Sequence, residues 1–137
     1  VEFLVSAPRS EILALLQTAS VGLHTMRLEH FGIAVVEFMA ASLVVVAHAS
    51  GGPLLDIVGE TGERGFVATD AHDYATKLAS VIEMDASSRR KIGENARAFV
   101  AERFSDSAFG RTFVSALSML LTNRPPAAAT VLKGGLN

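Results

Sequence analysis

The sequence predicts an α/β fold in which helices cover both faces of a parallel sheet and the chain ends in a helical segment. Residues 43–48 are rich in valine, and such a continuous apolar run is typical of a strand buried on both faces. Helical segments are predicted on either side of it, and from residue 70 onward only helical spacing recurs. Strands that alternate with helices, followed by helices alone, indicate this architecture.

The individual elements follow from apolar spacing and from residues that start or stop helices. Strands are predicted at residues 1–5, 20–24, 43–48 and 65–68. Helices are predicted at residues 8–19, 31–41 and 54–58, and then from Asp70, from Ser87 or Ser88, and from Ser105. Asp70 and Asp73 are expected to cap their helix as a pair, and Ser105 is expected to cap the last one. An aromatic stripe is expected in the core: Phe99, Phe109 and Phe113.

Length and composition limit the classes of function. A chain of 137 residues forms at most one domain, predicted here at residues 1–121. Residues 122–137, rich in Pro, Ala and Gly, are predicted to form a disordered tail. The formal net charge of −2 provides no field for nucleic acid or an anionic membrane. The absence of cysteine excludes disulfides, zinc–thiolate sites and thiol catalysis.

Two further features are the longest uncharged run and the start of the chain. Residues 38–55 carry no formal charge, but Gly51, Gly52 and Pro53 interrupt the run. We therefore interpret it as helix, buried strand and loop rather than as a membrane helix. The chain begins directly with a predicted strand and without an initiator Met, so we expect it to be a fragment of a larger protein.

The most informative stretch is residues 29–37, which places two carboxylates around the start of a helix. Glu29 lies in the preceding loop and Glu37 lies one turn inside an apolar helix. An unpaired carboxylate is costly to bury there, unless a ligand with hydroxyl groups compensates. The free N–H groups of the helix start favour phosphate. Because parallel strands bind ligands at their carboxyl ends, loops 25–30 and 49–53 should lie together and form a nucleotide-sugar pocket.

Simpler interpretations of the same residues stay open. Glu29 could be a solvated loop acid, and Glu37 could face water, although its apolar neighbours argue against that. His24 and His48 end adjacent predicted strands, but no third ligand supports a metal pair. Histidines at such positions are more often hydrogen-bonded structural groups, so we expect no metal site.

Several sequence blocks then carry a family resemblance. Glu29 and Glu37 form a Glu-x7-Glu signature, and longer blocks run from Gly22 to Ile33 and from Ala47 to Asp56. Gly65-Phe66 and Arg103-Phe104-Ser105-Asp106 also fit. Over residues 1–121 the chain resembles the C-terminal half of retaining glycosyltransferases of family 4, which have the GT-B fold. The longer blocks resemble the α-1,2-mannosyltransferases of that family that extend dolichol-linked oligosaccharides.

The resemblance implies a fold, an activity and partners. The chain would be part of a Rossmann-like donor-nucleotide-binding domain, and GDP-mannose would be the donor substrate, with no further cofactor. The acceptor would be a dolichol-diphosphate-linked oligosaccharide, used for N-glycan precursor assembly on the cytosolic face of the endoplasmic reticulum membrane. An N-terminal GT-B domain, missing here, would hold the acceptor site, and membrane association would occur through parts outside this chain.

The resemblance also implies roles for particular residues. Glu29 would lie against the donor sugar and diphosphate, and His24 would lie near the sugar; these are the candidate catalytic residues. Glu37 would accept hydrogen bonds from the ribose hydroxyls. The remaining candidate donor-binding residues would offer backbone N–H groups to the donor or leave space for it: Phe31, Gly32, Ile33, Gly51 and Gly52.

Two departures from the family pattern accompany these roles. The family's cationic residues for the diphosphate lie upstream of anything in this chain. Ser42 stands where the family commonly has Gly, which serine can replace if the position does not need a positive φ. We therefore keep two hypotheses: a glycosyltransferase donor-binding region, and a catalytically inactive truncated fragment that acts only as a binding or remnant module.

Overall fold

The computed structural model describes residues 1–122. This part of the chain contains five α-helices and three strands, and the last three helices follow one another. They are α1 (Arg9–Thr18), β1 (Val21–His24), α2 (Ile33–Ala40), β2 (Val44–His48), β3 (Phe66–Ala68), α3 (Ala71–Glu83), α4 (Ala86–Phe104) and α5 (Asp106–Thr122). A single π-helical turn, Pro53–Ile57, lies between β2 and β3. The uncharged run of residues 38–55 thus forms the end of α2, strand β2 and the start of this turn.

The three strands form a parallel sheet, as the sequence predicts, and their order is β1-β2-β3. β2 is the central strand and is buried along its whole length. Its side chains alternate between two cores: Val45 and Ala47 pack in a cluster with residues of α2, α4 and the π-helical turn, whereas Val44 and Val46 pack with residues of α3. Helices therefore cover both faces of β2, which confirms the predicted fold class.

The strand predicted at residues 1–5 is wrong. This segment belongs to no regular element, and Phe3 and Val5 are exposed. An apolar segment becomes a strand only when a neighbour pairs with its backbone N–H and C=O groups. No such neighbour is present among residues 1–122, where β1 pairs only with β2.

The helix caps follow the sequence with one correction. The N–H groups of His72 and Asp73 both donate to Asp70 Oδ1 at 2.9 Å, while Thr69 N–H donates to Asp73 Oδ2 at 3.0 Å, so the predicted pair is confirmed. α4, however, starts before Ser87. The carboxylate of Asp85 caps it by accepting from Ser88 N–H at 2.9 Å, and acidic side chains are strong N-caps.

α2 ends in a Schellman motif with Ser42 at the left-handed position. Leu43 N–H donates to the Phe38 carbonyl at 3.0 Å and Ser42 N–H donates to the Met39 carbonyl at 2.9 Å, the two bonds that define this motif. Ser42 has a φ of 62°. The position thus needs the conformation that glycine adopts freely, and serine occupies it with strain.

Within the described part of the chain, residues 1–105 and 106–122 belong to two separate compact units. In the second, the rings of Phe109 and Phe113 stack on each other 5.7 Å apart and remain 69% and 55% exposed. Phe99 packs against the core of the first unit, so the expectation of a buried stripe holds for Phe99 alone. Thr122 ends α5, and the rest of the predicted tail lies outside the described residues. Within residues 1–122, no helix combines the length and apolar character needed to cross a membrane.

Candidate functional site

Two loops meet at the carboxyl edge of the sheet, as the topology predicts. The loop after β1 carries Glu29, and the loop after β2 carries Gly51 and Gly52. Gly52 N–H donates to the Glu29 carbonyl at 2.8 Å, and Leu28 N–H donates to Ser50 Oγ at 2.8 Å. These bonds hold the backbone of the Glu29 loop against the glycine loop.

The two glycines make this close approach possible. Gly51 has a φ of 58°, and a Cβ there would collide with the Glu29 carbonyl oxygen. A Cβ on Gly52 would come within 2.5 Å of the carbonyl oxygens of His30 and Phe31. In this structure the space beside the glycines is filled by the neighbouring loop. Their role toward the donor stays a prediction.

Glu29 and His24 lie side by side at this edge. Glu29 Oε2 is 4.0 Å from His24 Nε2, and Glu29 Oε1 accepts weakly from Phe31 N–H at 3.4 Å. Both side chains are mostly buried. His24 Nδ1 is buried and has no hydrogen-bond partner within residues 1–122. Because buried polar atoms are normally paired, these two side chains form a polar surface that suits a hydroxyl-rich ligand.

The start of α2 is open for an anion. Gly32 precedes the helix with a φ of 95°, and no side chain caps the first turn. The first N–H groups of a helix have no partner within it and attract negative charge. Phe31 and Ile33, on either side of Gly32, are exposed. The structure therefore brings the Phe31–Gly32–Ile33 backbone and Glu29 to one place.

Phe104 supports this motif, a contact that the sequence analysis missed. Its ring meets the Phe31 ring edge-on at 5.3 Å and the Phe99 ring at 6.0 Å. Phe104 ends α4, more than seventy residues after Phe31 in the chain, so spacing alone does not link them. The available signal was the Arg103–Asp106 block, which had no assigned role.

Glu37 lies apart from the Glu29–His24 pair and is not unpaired. Its Oε1 lies 2.7 Å from Arg9 Nη1, and the two side chains are 34% and 58% exposed. The expectation of a carboxylate buried without a partner is therefore wrong. Arg9, the first residue of α1, is 28 positions earlier in the sequence, and no local spacing predicts the pair.

The strand-end histidines differ in their surroundings. His48 is only 8% exposed, and its Nδ1 is paired with Ser50 Oγ at 2.8 Å, which is the structural role expected for it. The Tyr74 hydroxyl donates to the His24 carbonyl at 2.9 Å and fixes the end of β1. Among residues 1–122 no three His, Asp or Glu side chains lie together in a way that could hold a metal ion.

Comparison with known proteins identifies the family. The profile of the family described as "Glycosyl transferases group 1" matches residues 1–99, most of the chain. The chain belongs to the group 1 glycosyltransferases. Both carboxylates, His24 and the glycine loop fall within the matched region.

Curated relatives in this family are close in sequence. The human protein named GDP-Man:Man(3)GlcNAc(2)-PP-Dol alpha-1,2-mannosyltransferase is 48% identical over 122 residues, which are 88% of this chain and 25% of that protein. The mouse protein of the same name is 45% identical over 124 residues, or 89% and 25%. The chain thus spans about a quarter of the length of the curated relatives it matches.

Solved structures confirm the GT-B type of fold. HepE of Anabaena, crystallised with UDP, superposes with a TM-score of 0.72 at 30% identity, covering 81% of this chain and 30% of that one. A glycosyltransferase from Rickettsia africae gives a TM-score of 0.74 at 24% identity, covering 84% and 31%. The similarity to the Rickettsia africae protein shows the fold alone.

Proposed function

We propose that the protein containing this chain transfers mannose from GDP-mannose to a dolichol-diphosphate-linked oligosaccharide, with retention and an α-1,2 linkage. The chain would supply the donor-binding region, and an N-terminal GT-B domain would hold the acceptor. The protein would act in N-glycan precursor assembly at the cytosolic face of the endoplasmic reticulum membrane. The names of the human and mouse relatives support these substrates.

One observation carries the proposal: the Glu29 loop is held beside the uncapped start of α2 at the carboxyl edge of the sheet. The donor diphosphate would lie on the backbone N–H groups around Gly32, where the helix dipole favours negative charge. These fixed dipoles would also stabilise the GDP leaving group as its charge develops. Glu29 and His24 would then contact the sugar.

Glu37 would bind the ribose without leaving Arg9. A carboxylate offers two oxygens with about four acceptor positions. Arg9 contacts Oε1, and the ribose hydroxyl would donate to Oε2. The ion pair would hold the carboxylate oriented for that bond.

We further propose that transfer requires no metal ion. Sites that hold magnesium use clustered acidic oxygens, and loop 25–32 carries Glu29 as its single acid. Activity of the full-length protein should therefore survive exhaustive chelation. Loss of activity with chelator, and its return with a divalent ion, would contradict this proposal.

The test of the function is a transfer assay with the full-length protein. Labelled GDP-mannose and a dolichol-diphosphate-linked oligosaccharide should yield a labelled product that an α-1,2-specific mannosidase degrades. UDP-glucose, tested at the same concentration, should yield much less product. Transfer from UDP-glucose alone, or a product that resists the mannosidase, would contradict the proposal.

A second candidate is a catalytically inactive truncated fragment that acts only as a binding or remnant module. Exposed apolar surface favours it: α1 has no buried residue, and Phe3 and Val5 are exposed. Such surface often marks an interaction site. Residues 1–122 expressed alone should bind GDP weakly and transfer no mannose, because the acceptor must be held against the donor. Robust transfer by this piece would exclude the second candidate and would also contradict the need for a separate acceptor-holding domain.

A further inference from the structure

The Ser50 side chain links the loop after β1 to the end of β2 at the carboxyl edge of the sheet. Its Oγ accepts the Leu28 N–H at 2.8 Å and is paired with His48 Nδ1 at 2.8 Å. A hydroxyl has one donor and two acceptor positions, so it can serve both partners at once. When His48 is neutral with its proton on Nε2, the Ser50 hydroxyl donates to Nδ1 and accepts from Leu28. In that tautomer the buried His48 ring fixes the direction of the hydroxyl.

Leu28, which donates its N–H to Ser50, has a strained backbone. Leu28 has a φ of 55°, a left-handed conformation that is unfavourable for a non-glycine residue. Such a conformation persists only where surrounding interactions determine it. The Ser50 hydroxyl is the side-chain group that binds the Leu28 N–H.

Glu29 follows Leu28 directly. Its own carbonyl accepts from Gly52 N–H at 2.8 Å, so the backbone is held on both sides of its Cα. The Gly52 bond is made by the main chain and needs no particular side chain. The bond to Ser50 needs a hydroxyl at that position. Of the two bonds, it is therefore the one that depends on the amino-acid sequence.

We propose that Ser50 is a positioning residue that fixes the Glu29 carboxylate through the backbone of Leu28, with His48 orienting its hydroxyl. This inference rests on the proposed function, because it assigns Glu29 a place beside the donor sugar. Ser50 itself is not assigned a contact with the reacting atoms. Loss of its hydroxyl should let Leu28 relax toward ordinary φ values and turn Glu29 away from the sugar.

Two matched pairs of variants test this in the full-length protein. Ser50→Thr keeps the hydroxyl. Ser50→Val gives a side chain with the shape of threonine but without the hydroxyl. Ser50→Ala removes the hydroxyl without added bulk. Ser80→Ala is the control, because the Ser80 hydroxyl is exposed and binds only within α3, to the Thr76 carbonyl.

Ser50→Val and Ser50→Ala should lower kcat for mannose transfer roughly 10-fold, since small misplacements of reacting groups are costly. KM for GDP-mannose should change less than about 2-fold, because the diphosphate and ribose contacts lie elsewhere. Ser50→Thr and Ser80→Ala should retain nearly full activity. Equal loss in the Thr and Val variants would overturn the inference.

A double-variant cycle distinguishes positioning from general support of the fold. If Ser50 acts through Glu29, Ser50→Ala should have little further effect on kcat in a Glu29→Ala background. A full additional 10-fold loss there would overturn the inference, because Ser50 would then act independently of Glu29.

Amide hydrogen exchange gives a readout that does not depend on transfer. The Leu28 amide should exchange roughly 10-fold faster in Ser50→Val than in Ser50→Thr, while the Tyr74 amide, bonded to the Asp70 carbonyl in α3, stays unchanged. If the wild-type protein transferred no mannose, the proposed function would be wrong. The exchange comparison would still test the hydrogen bond from the Leu28 N–H to Ser50 Oγ. Equal Leu28 exchange in both variants would overturn the inference.

Discussion

Arg9 and Glu37 form an ion pair 2.7 Å long that joins the start of α1 to the middle of α2. Both side chains reach solvent, so the pair adds at most about 1 kcal/mol to stability. The contact recorded for Arg9 is to Oε1, and in the proposed site the other carboxylate oxygen would accept from the ribose. The pair therefore changes how Glu37 is expected to work without removing it from the proposed site.

Glu37→Ala should weaken GDP binding to the full-length protein by about 1–3 kcal/mol, the usual cost of leaving a polar group without its hydrogen-bond partner. Glu11→Ala is the control, since Glu11 is an exposed acid in the first turn of α1. Calorimetry should show the loss for Glu37→Ala alone. Unchanged GDP affinity would remove Glu37 from the donor site.

Glu29→Ala should lower turnover more than nucleotide affinity. The carboxylate faces His24 rather than the Arg9–Glu37 pair, and the proposed sugar site lies on that side. A group that acts mainly in the transition state lowers kcat when it is removed. Glu60→Ala, in the exposed turn before β3, should have no effect. An unaltered turnover number for Glu29→Ala would refute the role.

Ser42→Gly should stabilise the chain by about 0.5–1 kcal/mol. Glycine removes left-handed backbone strain of about 1–2 kcal/mol. Part of this gain is offset because glycine raises the conformational entropy of the unfolded chain. Urea unfolding measures the difference. Ser80→Gly, inside α3, should destabilise by about 0.5–1 kcal/mol and serves as the opposite control. A destabilised Ser42→Gly variant would contradict the strain assigned to Ser42.

Tyr74 should titrate at higher pH in the folded chain than in the unfolded chain. Burial raises its pKa above the usual 10.0, and the neighbouring Asp73 carboxylate raises that pKa further. A raised folded-state pKa stabilises the fold below pH 10, and this contribution is lost as the pH rises through the folded pKa.

The measurement for Tyr74 is simple because the chain has one Tyr and no Trp. Tyrosinate absorbance of the 137-residue chain should reach its midpoint above pH 10.0 in buffer. In concentrated urea the midpoint should fall back to the usual value. Identical midpoints in buffer and urea would contradict the packing of Tyr74 against the end of β1.

The sequence predicts the elements whose stabilising contacts are local or repeated. The valine run specifies β2, the Asp70–Asp73 pair specifies the start of α3, and parallel topology brings the Glu29 and glycine loops together. The strand at residues 1–5 failed because its pattern is apolar but strand formation requires a neighbour.

The site details that escaped prediction depend on distant partners. Arg9 meets Glu37 and Phe104 meets Phe31 only after the helices pack, and no periodic spacing connects them. The φ of Ser42 depends on how α2 ends, where a glycine-like conformation overrides the preference of serine. The sequence therefore predicted which two loops meet at the carboxyl edge, whereas the packing determined the partners of their residues and of Glu37.

Hydrogen–deuterium exchange of the full-length protein, with and without GDP-mannose, tests the central claim that the Glu29 loop and the start of α2 hold the donor. Exchange should slow across residues 28–36, whose first-turn N–H groups the diphosphate would bind, and stay unchanged in α3 (Ala71–Glu83). Unchanged exchange across residues 28–36 at saturating GDP-mannose would contradict the account.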